Sequence, residues 1–107
     1  MIKEPLKNEP VNLCGQLDIG LSAAFIANMD LVFGNDSGTL HVAGALDVPT
    51  VVIYGPMDYH KWRVWNTNTK AISTKVPCYP CNLKIKCKNN YDCLEQITPN
   101  IAISFID

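Results

Sequence analysis

A β-branched run, Thr50-Val51-Val52-Ile53-Tyr54, is closed by Pro49 on one side and by Gly55-Pro56 on the other, and it constrains this chain more than any other feature. A short run that is apolar on both faces is what a buried strand of a parallel sheet requires. Parallel strands need a crossover between them, usually a helix. The preceding residues supply one: Leu40, Val42, Ala43 and Leu46 fall at helical spacing over Thr39–Leu46, and Asp47-Val48-Pro49 ends that helix. Before it, Leu31-Val32-Phe33 reads as a second buried strand ending at Gly34. Asp18 is suited to cap a helix over residues 19–29, and Val11 to Cys14 reads as a strand running into a turn at Gly15, with Cys14 a small buried apolar residue.

The order β-α-β-α-β with short turns predicts an α/β, Rossmann-like parallel sheet. Residues 1–10 read as a tail or linker, and residues 11–107 as one domain containing a cysteine-rich segment at 78–93. Residues 57–69 read as an ordered loop, Ala71–Thr74 as one more short strand, and Thr98-Pro99 as the start of a helix over 100–106. The helix at 19–29 is apolar nearly all round, which asks for packing on two sides.

The 107 residues are 48% hydrophobic and 18% charged, too apolar for a disordered chain. A formal net charge of −1 argues against a polybasic nucleic-acid binder. No apolar run approaches the ~20 residues of a membrane span, and Met1-Ile2-Lys3-Glu4-Pro5 lacks a signal-peptide core, so a cytoplasmic location is expected. Charge is unevenly placed: Lys61, Arg63, Lys70, Lys75, Lys84, Lys86 and Lys88 occupy a stretch, 59–91, without an acid. That stretch is either a solvated face or a cationic wall for an anionic ligand.

Two groups of residues carry candidate chemistry. Gly34-Asn35-Asp36-Ser37-Gly38-Thr39 lies where a strand ends and a helix begins. Ligands of open α/β sheets bind beyond the carboxyl ends of the strands, and a helix N-terminus presents unpaired N–H groups to an anion. Gly38 allows close approach, the Ser37 and Thr39 hydroxyls can add bonds, and Asp36 is suited to a cap or a sugar hydroxyl. Spacing alone leaves a capped helix start without ligand equally open, with Asp36 or Ser37 as the cap and His41 as a satisfied core imidazole. The second group is Cys78, Cys81, Cys87 and Cys93, a C-x-x-C turn followed by two further thiols. Four thiolates suit a structural zinc or a single iron, and nearby lysines would offset their charge. Packed free thiols and two disulfides are the other readings.

The stretches Asn12–Gln16 and Ala23–Val32, the core D-S-G-x-x-H-x-A-x-A-x-x-x-P over Asp36–Pro49, and the following strand with Gly55-Pro56 resemble the bacterial heptosyltransferases, glycosyltransferase family nine. The resemblance covers residues 11–100. It implies part of the C-terminal, donor-binding domain of a two-domain GT-B enzyme, inverting, acting in lipopolysaccharide or related glycan synthesis, and peripheral at the inner membrane. By that pattern Asp36, Ser37, Gly38 and Thr39 would hold the diphosphate of ADP-heptose or a related nucleotide sugar, and His41 would lie near it. Gly15 and Gln16 would lie by the nucleotide, and Lys61 or Arg63 would add charge. No metal is required for transfer in that family, and some relatives hold an iron in four cysteines. Met57 stands where the family often has Thr, and Trp62 and Trp65 lack the family's following proline. The catalytic base would come from a partner acceptor domain, or a homo-oligomer partner would complete the site, so the chain alone is expected to be inactive. The alternatives are a metal-stapled, non-enzymatic interaction module and the donor domain of another GT-B enzyme.

Overall fold

In the computed structural model, which describes residues 8–106, the β-branched run forms the centre of a three-stranded, wholly parallel sheet. Strands β1 (Val32–Asn35), β2 (Thr50–Ile53) and β3 (Thr69–Ile72) lie side by side in that order, with Val32 opposite Thr50 and Thr50 opposite Thr69. Helix α1 (Ile19–Ile26) precedes β1, and α2 (Gly38–Ala45) makes the crossover to β2. A single turn, α3 (Tyr59–Trp62), lies between β2 and β3, and α4 (Asp92–Glu95) and α5 (Pro99–Ser104) follow. The α/β class read from the sequence is the observed one.

The pleat of β2 divides the core. Val52 and Tyr54 face α2 and pack with Leu40 and Val64, whereas Val51 and Ile72 pack on the opposite face against Ala102 of α5. Ile26, Ala43 and Val48 join α1 to α2. Helix α2 passes so near the following loop that a Cβ on Gly44 would stand 2.1 Å from Cγ1 of Val64, so only glycine fits there without displacement. The helix ends in a Schellman arrangement. Val48 N–H donates to Ala43 O at 3.0 Å, Asp47 N–H donates to Gly44 O at 3.2 Å, and Asp47 takes a left-handed φ of 57°.

Several boundaries differ from the sequence reading. Val11–Cys14 forms no strand: Asn12 Oδ1 accepts the Cys14 N–H at 3.0 Å and starts a turn, and both Val11 and Cys14 are exposed. Helix α1 stops at Ile26, where Ala27 caps it, rather than running to 29. Asp18 does cap α1, its Oδ1 accepting the Leu21 N–H at 2.8 Å. The loop read over 57–69 contains α3, capped by Asp58. Strand β3 starts at Thr69 instead of Ala71, because its pairing follows the register of β2 and is anchored by a 2.7 Å hydroxyl pair between Thr50 and Thr69. The tail assigned to residues 1–10 lies mostly outside the described residues.

Candidate functional site

The carboxyl ends of β1 and β2 carry adjacent loops. Past Asn35 the backbone turns, and Asp36 N–H donates to Ile53 O at 3.0 Å, fastening the first loop to the central strand. Ser37 is fully extended (φ −158°, ψ 164°), and its carbonyl accepts the Leu40 N–H at 3.1 Å, which opens α2. No side chain caps this helix, so neither Asp36 nor Ser37 fills the capping role. Asp36 is turned instead toward His41, with Oδ1 3.5 Å from Nε2. Among the described residues no acceptor meets the amides of Gly38 or Thr39, and both residues are exposed. A Cβ built on Gly38 meets nothing within 4 Å, so the space beside its Cα is open. Unpaired N–H groups aligned with the dipole of an eight-residue helix form a positive end that an anion can occupy.

The other predicted residues fall around this loop to different degrees. His41 is exposed and is not the core imidazole that its apolar helix suggested. Gly15 (φ 72°) and Gln16 form an exposed turn, in which Gln16 Nε2 donates to Asn12 O at 2.8 Å. Leu13 and Leu17 of that turn share an apolar hollow of about 350 Å³ with Phe25, Phe33 and Thr39, which brings the turn to the flank of the α2 start. Arg63 lies 4.5 Å from the Trp65 ring centroid and lines a cleft of about 970 Å³ that runs from Tyr54 and Tyr59 to Asp47. Lys61 sits over Trp62 at 5.6 Å.

Sequence reasoning missed Tyr54. Its ring is wholly buried against Leu40, Val52 and Val64, and its hydroxyl accepts the Val64 N–H at 3.1 Å. Burial, and secondarily the charge of Asp36, raise its phenol pKa, while the Val64 N–H pulls the other way. The signal was present in the run itself, where a tyrosine ends an otherwise aliphatic strand.

The cysteine segment wraps over the end of the sheet. Cys93 is buried at the start of α4, and Cys78, Cys81 and Cys87 are half-buried and free of disulfides. Burial first, then the thiols of Cys78, Cys81 and Cys87, raise the Cys93 pKa. Tyr91 N–H donates to Cys87 Sγ at 3.2 Å and Asn89 Nδ2 to Cys78 Sγ at 3.4 Å. Such bonds favour a sulfur carrying negative charge. The donor set suits a tetrathiolate ion, although among the described residues no three potential ligands are drawn together into a shell. No helix among them is long and apolar enough to cross a membrane.

Comparison with known proteins fits this arrangement. The model of glycosyltransferase family 9 (heptosyltransferase) matches residues 1–92. Lipooligosaccharide heptosyltransferase 2 of Campylobacter jejuni serotype O:6 is 31% identical over 96 residues, 89% of this chain and 30% of that protein. Lipooligosaccharide heptosyltransferase 2 of Haemophilus influenzae is 38% identical over 55 residues, 51% of this chain and 16% of its own length. Lipopolysaccharide heptosyltransferase 2 of Salmonella typhimurium is 44% identical over 45 residues, 42% and 13% respectively. The chain thus spans less than a third of the length of these relatives. No solved structure matches.

Proposed function

This chain belongs to glycosyltransferase family 9, the heptosyltransferases, and we propose that it is the donor-binding part of an inverting glycosyltransferase of lipopolysaccharide or lipooligosaccharide assembly. The donor is a nucleotide-diphosphate sugar, ADP-heptose or a relative. The observation that carries this reading is the pair of unclaimed, exposed amides at Gly38 and Thr39, at the carboxyl edge of the sheet. In transfer with inversion, an acceptor hydroxyl attacks the anomeric carbon from the face opposite the leaving group. The bond from that carbon to the diphosphate oxygen breaks, and the electron pair leaves on the diphosphate. Fixed N–H dipoles aimed at that oxygen stabilise the developing charge without reorganising. Ser37 and Thr39 add hydroxyl donors, and His41, steadied by Asp36, adds a ring nitrogen at the same edge. The proton of the acceptor goes to a base outside the described residues, so this chain alone binds donor and does not turn it over.

Titrating the 107-residue chain with ADP, followed by amide shifts, tests this. The expected result is movement at Gly38, Thr39 and His41, and smaller movement with adenosine. No shift at millimolar ADP refutes the reading, and a preference for UDP overturns the ADP-sugar as donor.

The thiols support a second component. The N–H···S bonds at Cys78 and Cys87 and the free state of all four thiols support a zinc or iron held by Cys78, Cys81, Cys87 and Cys93, around which the four sulfurs would have to close. Its work is to staple a segment with little core of its own. Elemental analysis should find one ion per chain and none in Cys81→Ser; a metal-free wild-type chain excludes it.

A further inference from the structure

The turn that leaves the central strand, Gly55–Tyr59, stands beside the Asp36–Thr39 loop, since Asp36 N–H is bonded to Ile53 O just before it. Little within the turn holds it in place. Its first four residues belong to no helix or strand, and the backbone bonds to Asp58 O come from the helical side, from Lys61 and Trp62. The ties that fix its other groups come from the cysteine segment, twenty or more residues further along the chain.

Asn82 acts there as a two-way clamp. Its N–H donates to Pro56 O at 2.9 Å, and its Oδ1 accepts the Asp58 N–H at 3.0 Å. It does so from a left-handed backbone (φ 51°), which Asn tolerates better than most residues. Next to it, the Tyr79 hydroxyl accepts the Tyr59 N–H at 3.1 Å. Leu94 closes the other end of the turn: a Cβ on Gly55 would lie 2.8 Å from Leu94 Cδ2. Asn82 and Tyr79 are both half-buried, so these bonds are partly shielded from water. Each follows a cysteine directly, Tyr79 after Cys78 and Asn82 after Cys81, so whatever orders the C-x-x-C turn also orders the clamp.

From these ties we infer that Tyr79 and Asn82 are positioning residues that hold the 55–59 turn as the wall of the phosphate end of the donor site. The inference rests on the donor reading above. It gives the cysteine segment a task beyond stability. A wall fixed before the ligand arrives spares the ligand the entropy of ordering it.

The test uses the 107-residue chain and two conservative variants. Tyr79→Phe removes one hydroxyl. Asn82→Gly removes Oδ1 but keeps the left-handed backbone and the N–H to Pro56. Each chain is titrated with ADP and, separately, with adenosine, and amide hydrogen exchange is followed at Asp58 and Tyr59. Losing one hydrogen bond of this kind corresponds to a change of about two- to tenfold. We expect ADP binding to weaken by that factor in each variant and adenosine binding to stay within twofold of wild type. Exchange should accelerate at Asp58 in Asn82→Gly and at Tyr59 in Tyr79→Phe. A merely structural weakening would reduce ADP and adenosine binding together. Variants with wild-type amide spectra that bind ADP as tightly as wild type overturn the inference while leaving the donor reading intact. If Asn82→Gly fails to fold, Tyr79→Phe decides alone. A wild-type chain that ignores ADP overturns the donor reading, and this inference with it, before any variant is measured.

Discussion

Replacing Tyr54 with Phe isolates a single buried hydroxyl. The ring is completely enclosed between Leu40, Val52 and Val64, and Phe would fill the same space. Only the acceptor of the Val64 N–H is lost, and Val64 is itself 3% exposed. A buried amide left without a partner costs about 1–3 kcal/mol, partly offset because the hydroxyl no longer has to be desolvated. The expected loss is about 1–2 kcal/mol, or roughly 5–12 °C in Tm for a domain of this size. Urea unfolding at neutral pH should show a lower midpoint with an unchanged slope. The hydroxyl also has a pH signature. Burial raises the Tyr54 pKa above its ordinary 10.0, so the folded chain holds this proton more tightly than the unfolded chain does. Its contribution is fully present below the unfolded value and is lost as pH rises through the folded one. The stability gap between wild type and Tyr54→Phe should therefore be constant through neutral pH and narrow above about pH 10. Equal stability at pH 7, or a gap that does not change in alkali, would refute the assignment of this hydroxyl as a buried, shared acceptor.

Two further substitutions probe the frame of the same loop. Gly44→Ala adds a methyl 2.1 Å from Val64 Cγ1. Overpacking costs about 1–3 kcal/mol against the roughly 1 kcal/mol that alanine contributes to a helix, so a net destabilisation is expected. Denaturation of the double variant with Val64→Ala should show that cost largely relieved, and simple additivity would disprove the clash. Asp47→Gly removes the left-handed penalty at the Schellman position and should raise the urea midpoint, by about 0.5–1 kcal/mol of stability. A lowered midpoint would show that the Asp47 side chain matters more than its backbone.

The middle of the chain was legible because several signals agreed there. The β-branched run, the helical spacing before it and the Asp47-Val48-Pro49 stop each call for the same βαβ unit, and β1, α2 and β2 lie within a residue or so of their expected limits. Legibility failed where a side chain competed with the pattern. Four letters at Val11–Cys14 read as a strand, but Asn12 bonds the backbone two residues on and bends it. Asp36 carried the chemistry of a cap, yet the carboxylate is turned to His41. Helices α3 and α4 are single turns, too short for any periodicity, and α4 begins from Tyr91 in a left-handed conformation that composition does not signal. The all-round apolar α1 asked for cover on two sides. The structure provides it on one, burying Ile26 against α2 while Ile19, Leu21 and Phe25 stay exposed.

The strand-to-helix loop at Asp36–Thr39 was legible in position, and its electrostatics were not. Counting side chains placed the positive character in the stretch 59–91, but three of its cations are engaged elsewhere. Lys61 and Arg63 lie on tryptophan rings, and Lys70 Nζ donates to Phe105 O at 3.0 Å. At the Asp36–Thr39 loop the ionisable pair is Asp36 with His41, which carries no net positive charge. What is positive there is the backbone: the amides of Gly38 and Thr39 and the aligned peptides of α2 behind them. Peptide dipoles have no letter in a composition. They become visible only when a strand end, an extended Ser37 and an uncapped helix start are placed in sequence. A diphosphate at such a site would be bound by geometry rather than by countercharge, so raised salt should weaken ADP binding less than it would at a lysine-lined site.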